Sequence, residues 1–195
     1  MSKRLILVTS PPASGKTFIS KKISENIKNI VYLDKDTLIP LSKQIFVVAG
    51  EEYNRSSEFF NKYVRDYEYI AILDVAFEAL HYNDKVLINA PFSAEIRNEK
   101  YIQNLKEKLK EHHAKLTVIW VITDPKIIHK RMIDRNSDRD TWKLENWDEY
   151  LKTIDFSIPK SIDDENDELD FITFYNSSDE EYNESIKKIV SYLDK

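Results

Sequence analysis

The chain contains no cysteine, which excludes disulfides, thiolate metal sites and a cysteine nucleophile. Glycine is nearly absent as well: Gly15 and Gly50 are the only two in 195 residues. No apolar run approaches the roughly 18 residues that a membrane-spanning helix needs. The charged start passes at once into a strand pattern and does not read as a secretory leader. No membrane association and a cytoplasmic location are therefore expected. An excess of positive charge is also missing. Lys plus Arg total 29 against 34 for Asp plus Glu, a formal charge of −5, which argues against a non-specific nucleic-acid binder. What is present, 42% hydrophobic and 32% charged residues, is the composition of one globular domain spanning residues 1–195.

The hydrophobic pattern alternates between short apolar runs and helical periodicity. Leu5-Ile6-Leu7-Val8 reads as a buried strand, residues 9–15 as a loop, and Lys16 to about Lys28 as a helix. Ile30 to Leu33 forms a second strand ending at Asp34, which completes a βαβ unit. Residues 37–82 carry no strand signal. Helices are expected over 37–48 and 57–82, the second with Phe59, Tyr63, Tyr67, Ile70, Leu73, Val75, Phe77 and Leu80 as its apolar face. This stretch, 37–84, reads as a helical insert on the substrate side. Further strands at 85–89, 116–122 and 171–175 alternate with helices at 94–113, 125–134, 144–154 and 180–193. Residues 135–145 are charged and patternless, an exposed and mobile lid, and 155–168 form an acidic loop. The alternation predicts an α/β fold: a five-stranded parallel sheet with helices on both faces.

Ser10-Pro11-Pro12-Ala13-Ser14-Gly15-Lys16-Thr17 matches the phosphate-binding pattern G-x-x-x-x-G-K-[ST], with Ser10 in place of the first glycine. A strand precedes it and a helix follows. In such a loop successive backbone N–H groups wrap a phosphate, so nucleotide contacts are expected from Pro12, Ala13, Ser14, Gly15, Lys16, Thr17 and Phe18. Lys16 supplies a cation for the β- and γ-phosphates, and the Thr17 hydroxyl is a ligand for Mg²⁺. ATP and Mg²⁺ are the cofactors this implies.

Asp34 and Asp36 leave the second strand at its carboxyl end, where ligands bind in open α/β sheets. Asp34 is expected to support Mg²⁺ beside Thr17. Asp36 is expected to accept the proton of an attacking hydroxyl, the alternative being a helix cap. Asn89 leaves the third strand at the same edge and can act there only by hydrogen bonding. Arg97, shortly after it, either reaches a substrate or is solvated. Arg131, Arg135 and Arg139 follow at four-residue spacing and suit a phosphate-closing lid. Arg65, in the insert, is the candidate reader of an anionic substrate. The insert is not basic overall, so a polynucleotide is not favoured over a small-molecule or nucleotide-type acceptor. His81, His112, His113 and His129 show no ligand spacing and read as surface residues.

With these pieces together, the chain resembles the P-loop kinases of the nucleoside-monophosphate-kinase superfamily. Within it, the chain is most similar to the AAA-type small kinases, a group that includes polynucleotide 5′-kinases, shikimate and gluconate kinases, and zeta toxins. The resemblance rests on residues 10–17, Asp34-Lys35-Asp36, the run from Asn89 to Arg97, and the stretch from Arg131 to Arg139. It implies strand order 2-3-1-4-5, Asp36 as base for the acceptor hydroxyl, and Asp34 as support for the metal. It implies Arg131 and Arg135 around the adenine and phosphates, and Asn176 and Ser177 as part of the adenine-side loop. Where the family often has aspartate, this chain has Asn89. A monomer or homodimer is expected. The rival reading is a module that hydrolyses ATP without transferring phosphate, and the pairing of Asp36 with an arginine-rich lid favours transfer over it.

Overall fold

The computed structural model describes residues 3–137, 140–159 and 169–194. Five parallel strands, β1 (Lys3–Thr9), β2 (Ile30–Asp34), β3 (Lys85–Asn89), β4 (Ala114–Ile122) and β5 (Leu169–Tyr175), lie in the order β2-β3-β1-β4-β5. This is the expected α/β sheet.

Side chains alternate along each strand, so each face of the sheet needs its own cover. Ile6 and Val8 of β1 face α1 (Lys16–Asn26) and α9 (Asp179–Leu193), packing with Ile19, Ile23, Phe174 and Ile189. Leu5 and Leu7 face α4 (Arg65–Tyr82) and α5 (Glu99–Glu111), packing with Ile72, Leu80, Leu105 and Trp120. The register sets Asn89 opposite both Val8 of β1 and Asp34 of β2. The carboxyl ends of three strands therefore finish level, at the mouth of the phosphate-binding loop.

Four helical segments differ from their sequence reading. The expected helix over 57–82 is two: α3 (Glu58–Tyr63), capped by Ser57, and α4, separated by Val64 in a non-helical conformation. Of the expected apolar face, Leu73, Phe77 and Leu80 do pack on the core, but the break changes which residues join them. Tyr69, Ile72, Ala76, Phe77 and Leu80 turn inward, while Tyr63, Tyr67, Ile70 and Val75, expected on the apolar face, are exposed. The helix over 94–113 divides in the same way: a 3-10 turn, Glu95–Arg97, precedes Asn98, whose side chain accepts from the Tyr101 N–H and starts α5. Before α2 (Ile39–Ala49), a 3-10 turn over Lys35–Leu38 is capped by Asp34. The fourth is the expected exposed lid. After α6 (Pro125–Arg135), Asp140 is wholly buried and a short helix, α7 (Thr141–Glu145), leads into α8 (Trp147–Thr153). Charge on Asp140 disguised a core position, because two neighbouring cations neutralise it. Of the four histidines, His81 and His113 are exposed as expected and the other two are less peripheral. His112 is partly buried and stacks on Phe77, and His129 is partly buried against Trp147.

Candidate active site

The loop between β1 and α1 is held from outside by its own carbonyls. The Ser14 carbonyl accepts from Asn176 Nδ2 at 2.7 Å, Thr123 Oγ1 at 3.1 Å and Arg131 Nη1 at 3.3 Å. Positive φ falls on Ala13 (61°) and Gly15 (93°), not on Ser10, so serine stands in the first glycine's place without strain. A Cβ on Gly15 would meet Asn176 Nδ2 at 2.6 Å, which leaves room only for glycine. Helix α1 starts at Gly15 with no side-chain cap and no acidic residue in its first turn. Its leading N–H groups have no intrahelical partner and carry the positive end of the helix dipole, which suits an anion. Lys16 Nζ lies across the loop, donating to the carbonyls of Ser10 and Pro11 at 3.1 and 3.0 Å and to Ser10 Oγ at 3.2 Å.

Thr17, Asp34 and Asn89 form one hydrogen-bonded group. Asn89 Nδ2 donates to Thr17 Oγ1 at 3.1 Å and to Asp34 Oδ2 at 3.0 Å, and Tyr32 also donates to Asp34. Asn89 is buried and its Oδ1 has no hydrogen-bond partner. A buried orphan acceptor beside a hydroxyl and a carboxylate fits the water shell of a hard divalent cation. Among the described residues no three His, Asp or Glu side chains gather into a metal cage. Burial and the bond to Asp34 raise the Tyr32 pKa, so Tyr32 stays a donor.

The cavity beside the loop has a volume of about 610 Å³, and six basic and two acidic residues line it: Lys16, Lys35, Arg55, Arg131, Arg135 and Lys143 against Asp34 and Asp36. Two buried carboxylates behind the wall position four of these cations. Glu68 accepts from both nitrogens of Arg55 at 2.7 Å, from Lys35 at 2.8 Å and from Ser42. Burial alone would raise its pKa; the bonds from Arg55, Lys35 and Ser42 overcome this and hold it at about 2. Asp140 likewise holds Arg135 through two nitrogens and Lys143 at 3.1 Å. Each group is one anion with two cations, so each wall keeps a net positive charge toward the cavity. Arg131 differs. Its described hydrogen bonds go to the carbonyls of Ser14 and Asn176, with no carboxylate among the described residues, and burial lowers its pKa.

The expected site residues fall into three groups. Lys16, Thr17, Phe18, Asp34, Asp36, Arg131 and Arg135 line the cavity, with Pro12, Ala13 and Gly15. Asn176, Ser177 and Phe18 line a neighbouring recess, which shares Gly15, Phe18 and Arg131 with the cavity and where Phe18 packs on Tyr182. Asp36 is exposed and does not cap the following turn; Asp34 does, accepting from the Asp36 N–H. Two arginines are elsewhere. Arg65 is tied to Glu95 and Asp66 and does not line the cavity, because the break at Val64 turns it toward the 3-10 turn after β3. Arg97 pairs with Asp155 at 2.8 Å and donates to the Ser157 carbonyl, pinning that loop rather than reaching the cavity. Arg139 lies outside the described residues.

Sequence reasoning missed Thr123, Arg55 with Lys35 and Glu68, and Lys143 with Asp140. Glu68 carried a signal: an acid one position before Tyr69 and four before Ile72 sits on the buried stripe once the helix is phased from Arg65.

A family model described as "AAA domain" matches residues 5–156, and the chain belongs to that family. Its fold is that of the small P-loop kinases. Over 99% of this chain and 97% of the other, it superposes on a putative kinase from Chloroflexus aurantiacus with TM-score 0.62 and 16% identity. A sugar kinase from Janibacter gives TM-score 0.58 at 14% identity, covering 98% and 95% of the two chains. A shikimate kinase from Bacteroides thetaiotaomicron gives 0.54 at 14% identity, covering both chains in full. At these identities the likeness is one of fold. No curated protein matches the chain.

Proposed function

We propose that the protein is a phosphotransferase moving the γ-phosphate of ATP to a hydroxyl of a small anionic or nucleotide-type acceptor. The observation that carries this reading is Asp36. It lies on the cavity wall with its carboxylate 54% exposed, two residues from the group formed by Asp34, Asn89 and Thr17. A carboxylate so placed suits proton acceptance from a hydroxyl.

The residues divide the work. The N–H groups at the start of α1 and the Lys16 ammonium hold the phosphates. Thr17, with Asp34 and Asn89 behind it, would hold Mg²⁺, which when bound neutralises charge on the β- and γ-phosphate oxygens. Asp36 takes the acceptor's proton as the acceptor oxygen bonds to the γ-phosphorus and the bridging oxygen departs with ADP. Arg131, Arg135 and Lys143 compensate the charge on the transferred group. Arg55 takes the anion-reading role expected of Arg65. Asn176, Ser177 and Phe18 border the base of the nucleotide.

The sugar kinase and shikimate kinase neighbours are named for small-molecule acceptors, which agrees with this reading. It is tested by ATP turnover with Mg²⁺, alone and against nucleosides, sugars, hydroxy acids, nucleotide sugars and 5′-hydroxyl oligonucleotides. Low basal turnover that rises with one acceptor class is expected. Steady turnover that no acceptor changes would establish a hydrolytic module instead, and a rise with oligonucleotides alone would make the protein a polynucleotide kinase.

A further inference from the structure

The Ser14 carbonyl accepts from three donors, one more than its two lone pairs call for. The donors reach it from distant parts of the chain. Thr123 is the first residue after β4 and Asn176 the first after β5. Those two strands end level, with Ile122 opposite Tyr175, and the Asn176 N–H donates to the Ile122 carbonyl at 2.9 Å. Thr123 and Asn176 are both buried, so the edge of the sheet sets where their donors stand. Arg131 adds the third and longest bond, from α6 at 3.3 Å.

The other end of the same peptide is in the opposite condition. The Gly15 N–H has no hydrogen-bond partner among the described residues, and Gly15 lines the phosphate cavity. A trans peptide is planar, with its C=O and N–H directed oppositely, and there is no cis bond among the described residues. Holding the Ser14 oxygen against the ends of β4 and β5 therefore turns the Gly15 N–H away from them, to the side of the cavity. Such a hold matters most beside a glycine. Glycine accepts either sign of φ, so an unheld Ser14–Gly15 peptide can rotate and present its oxygen to an anion. Donors on the oxygen also polarise the peptide and strengthen its N–H as a donor.

We propose that Thr123 and Asn176 are positioning residues for phosphate binding: they fix the Ser14–Gly15 peptide so that the Gly15 N–H donates to a phosphate oxygen of the nucleotide. This rests on the nucleotide reading of the loop, but not on which acceptor takes the phosphoryl group. Thr123 acts without touching the nucleotide, through the peptide alone.

The scarcity of glycine supplies the test. Selective ¹⁵N-glycine labelling gives two backbone signals, Gly15 and Gly50. Gly50 ends α2 with nothing within 4 Å of a Cβ placed on it, and serves as the reference. The whole chain is titrated with ADP and with adenosine, in the presence of Mg²⁺. ADP should move the Gly15 amide proton downfield, as a hydrogen bond to an anion does, and leave Gly50 in place; adenosine should shift Gly15 far less. Thr123→Val keeps the volume and removes the donor. It should weaken ADP about fivefold, reduce the Gly15 shift, and leave the adenosine Kd within about twofold. Thr123→Ser keeps the hydroxyl and should restore both ADP affinity and shift. ADP bound with Gly15 unmoved, equal weakening of ADP and adenosine, serine no better than valine, or a folded Thr123→Val indistinguishable from wild type would each overturn the proposal. Where Thr123→Val misfolds, the wild-type Gly15 signal decides. ADP that does not bind the wild type at all would instead remove the nucleotide reading of the loop, and this proposal with it.

Discussion

Asp34 and Asp36 are the same residue type on the same turn, yet their surroundings separate them. Asp34 accepts from Tyr32, Asn89 and the Asp36 N–H, which fixes it and spends its oxygens on position. Asp36 lines the cavity, and its one ion pair among the described residues is with Lys35, at 3.8 Å. Asp36→Asn keeps the shape and removes the carboxylate proposed as the base. It should leave ATP affinity within about twofold of wild type and lower acceptor-dependent turnover by roughly 100-fold or more. Retained turnover would remove Asp36 from the mechanism. Gly15 makes the complementary argument, from space instead of charge. Gly15→Ala forces a methyl against Asn176 at a left-handed backbone position. Nucleotide affinity, followed by calorimetry, should fall by at least about tenfold, and the melting temperature should drop with it.

At the scale of elements, what matters is which helix brings which cation. Asp140 ties the end of α6 to the start of α7 through Arg135 and Lys143. Deleting the carboxylate leaves two like charges facing each other around a buried gap. Asp140→Ala should cost about 3–5 kcal/mol in urea unfolding. It should also lower turnover more than it weakens ATP binding, because Arg135 loses its fixed position. Equal stability of variant and wild type would show that the two cations find other partners. The same scale explains much of what sequence reading missed. Hydrophobic periodicity counts phase along one helix and has no term for a break such as Val64. Tyr63, Tyr67, Ile70 and Val75 were therefore read as buried although Leu73, Phe77 and Leu80 were read correctly, and of the two arginines Arg55, not Arg65, lines the cavity.

Across the whole molecule, Glu68 joins the end of β2 through Lys35, α2 through Ser42, and the loop before α3 through Arg55. Its folded pKa, about 2, lies below its ordinary value of 4.5, so folding favours the ionised form. The resulting stabilisation is complete above 4.5, fades as pH falls, and is gone once pH passes below about 2. The stability gap between wild type and Glu68→Gln should therefore be constant from pH 7 to about 5 and shrink steadily toward pH 2 in denaturant titrations. A gap that does not narrow would mean that the cluster stabilises the fold by packing alone.

Local chemistry was legible from the sequence because it depends on neighbours along the chain. The apolar run Leu5–Val8, the loop closing on Gly15, Lys16 and Thr17, and the alternation of strand and helix by themselves determined a nucleotide-binding α/β fold. That β1, β2 and β3 end at one edge followed from that alternation; their level register, and the hydrogen bonds that join Asn89 to Thr17 and Asp34, did not. Only the tertiary structure decided which charged residues are buried. Glu68 and Asp140 look like solvated acids in sequence. They become anchors because cations distant or disguised in the chain converge on them, and a charge leaves water only when such partners are in place.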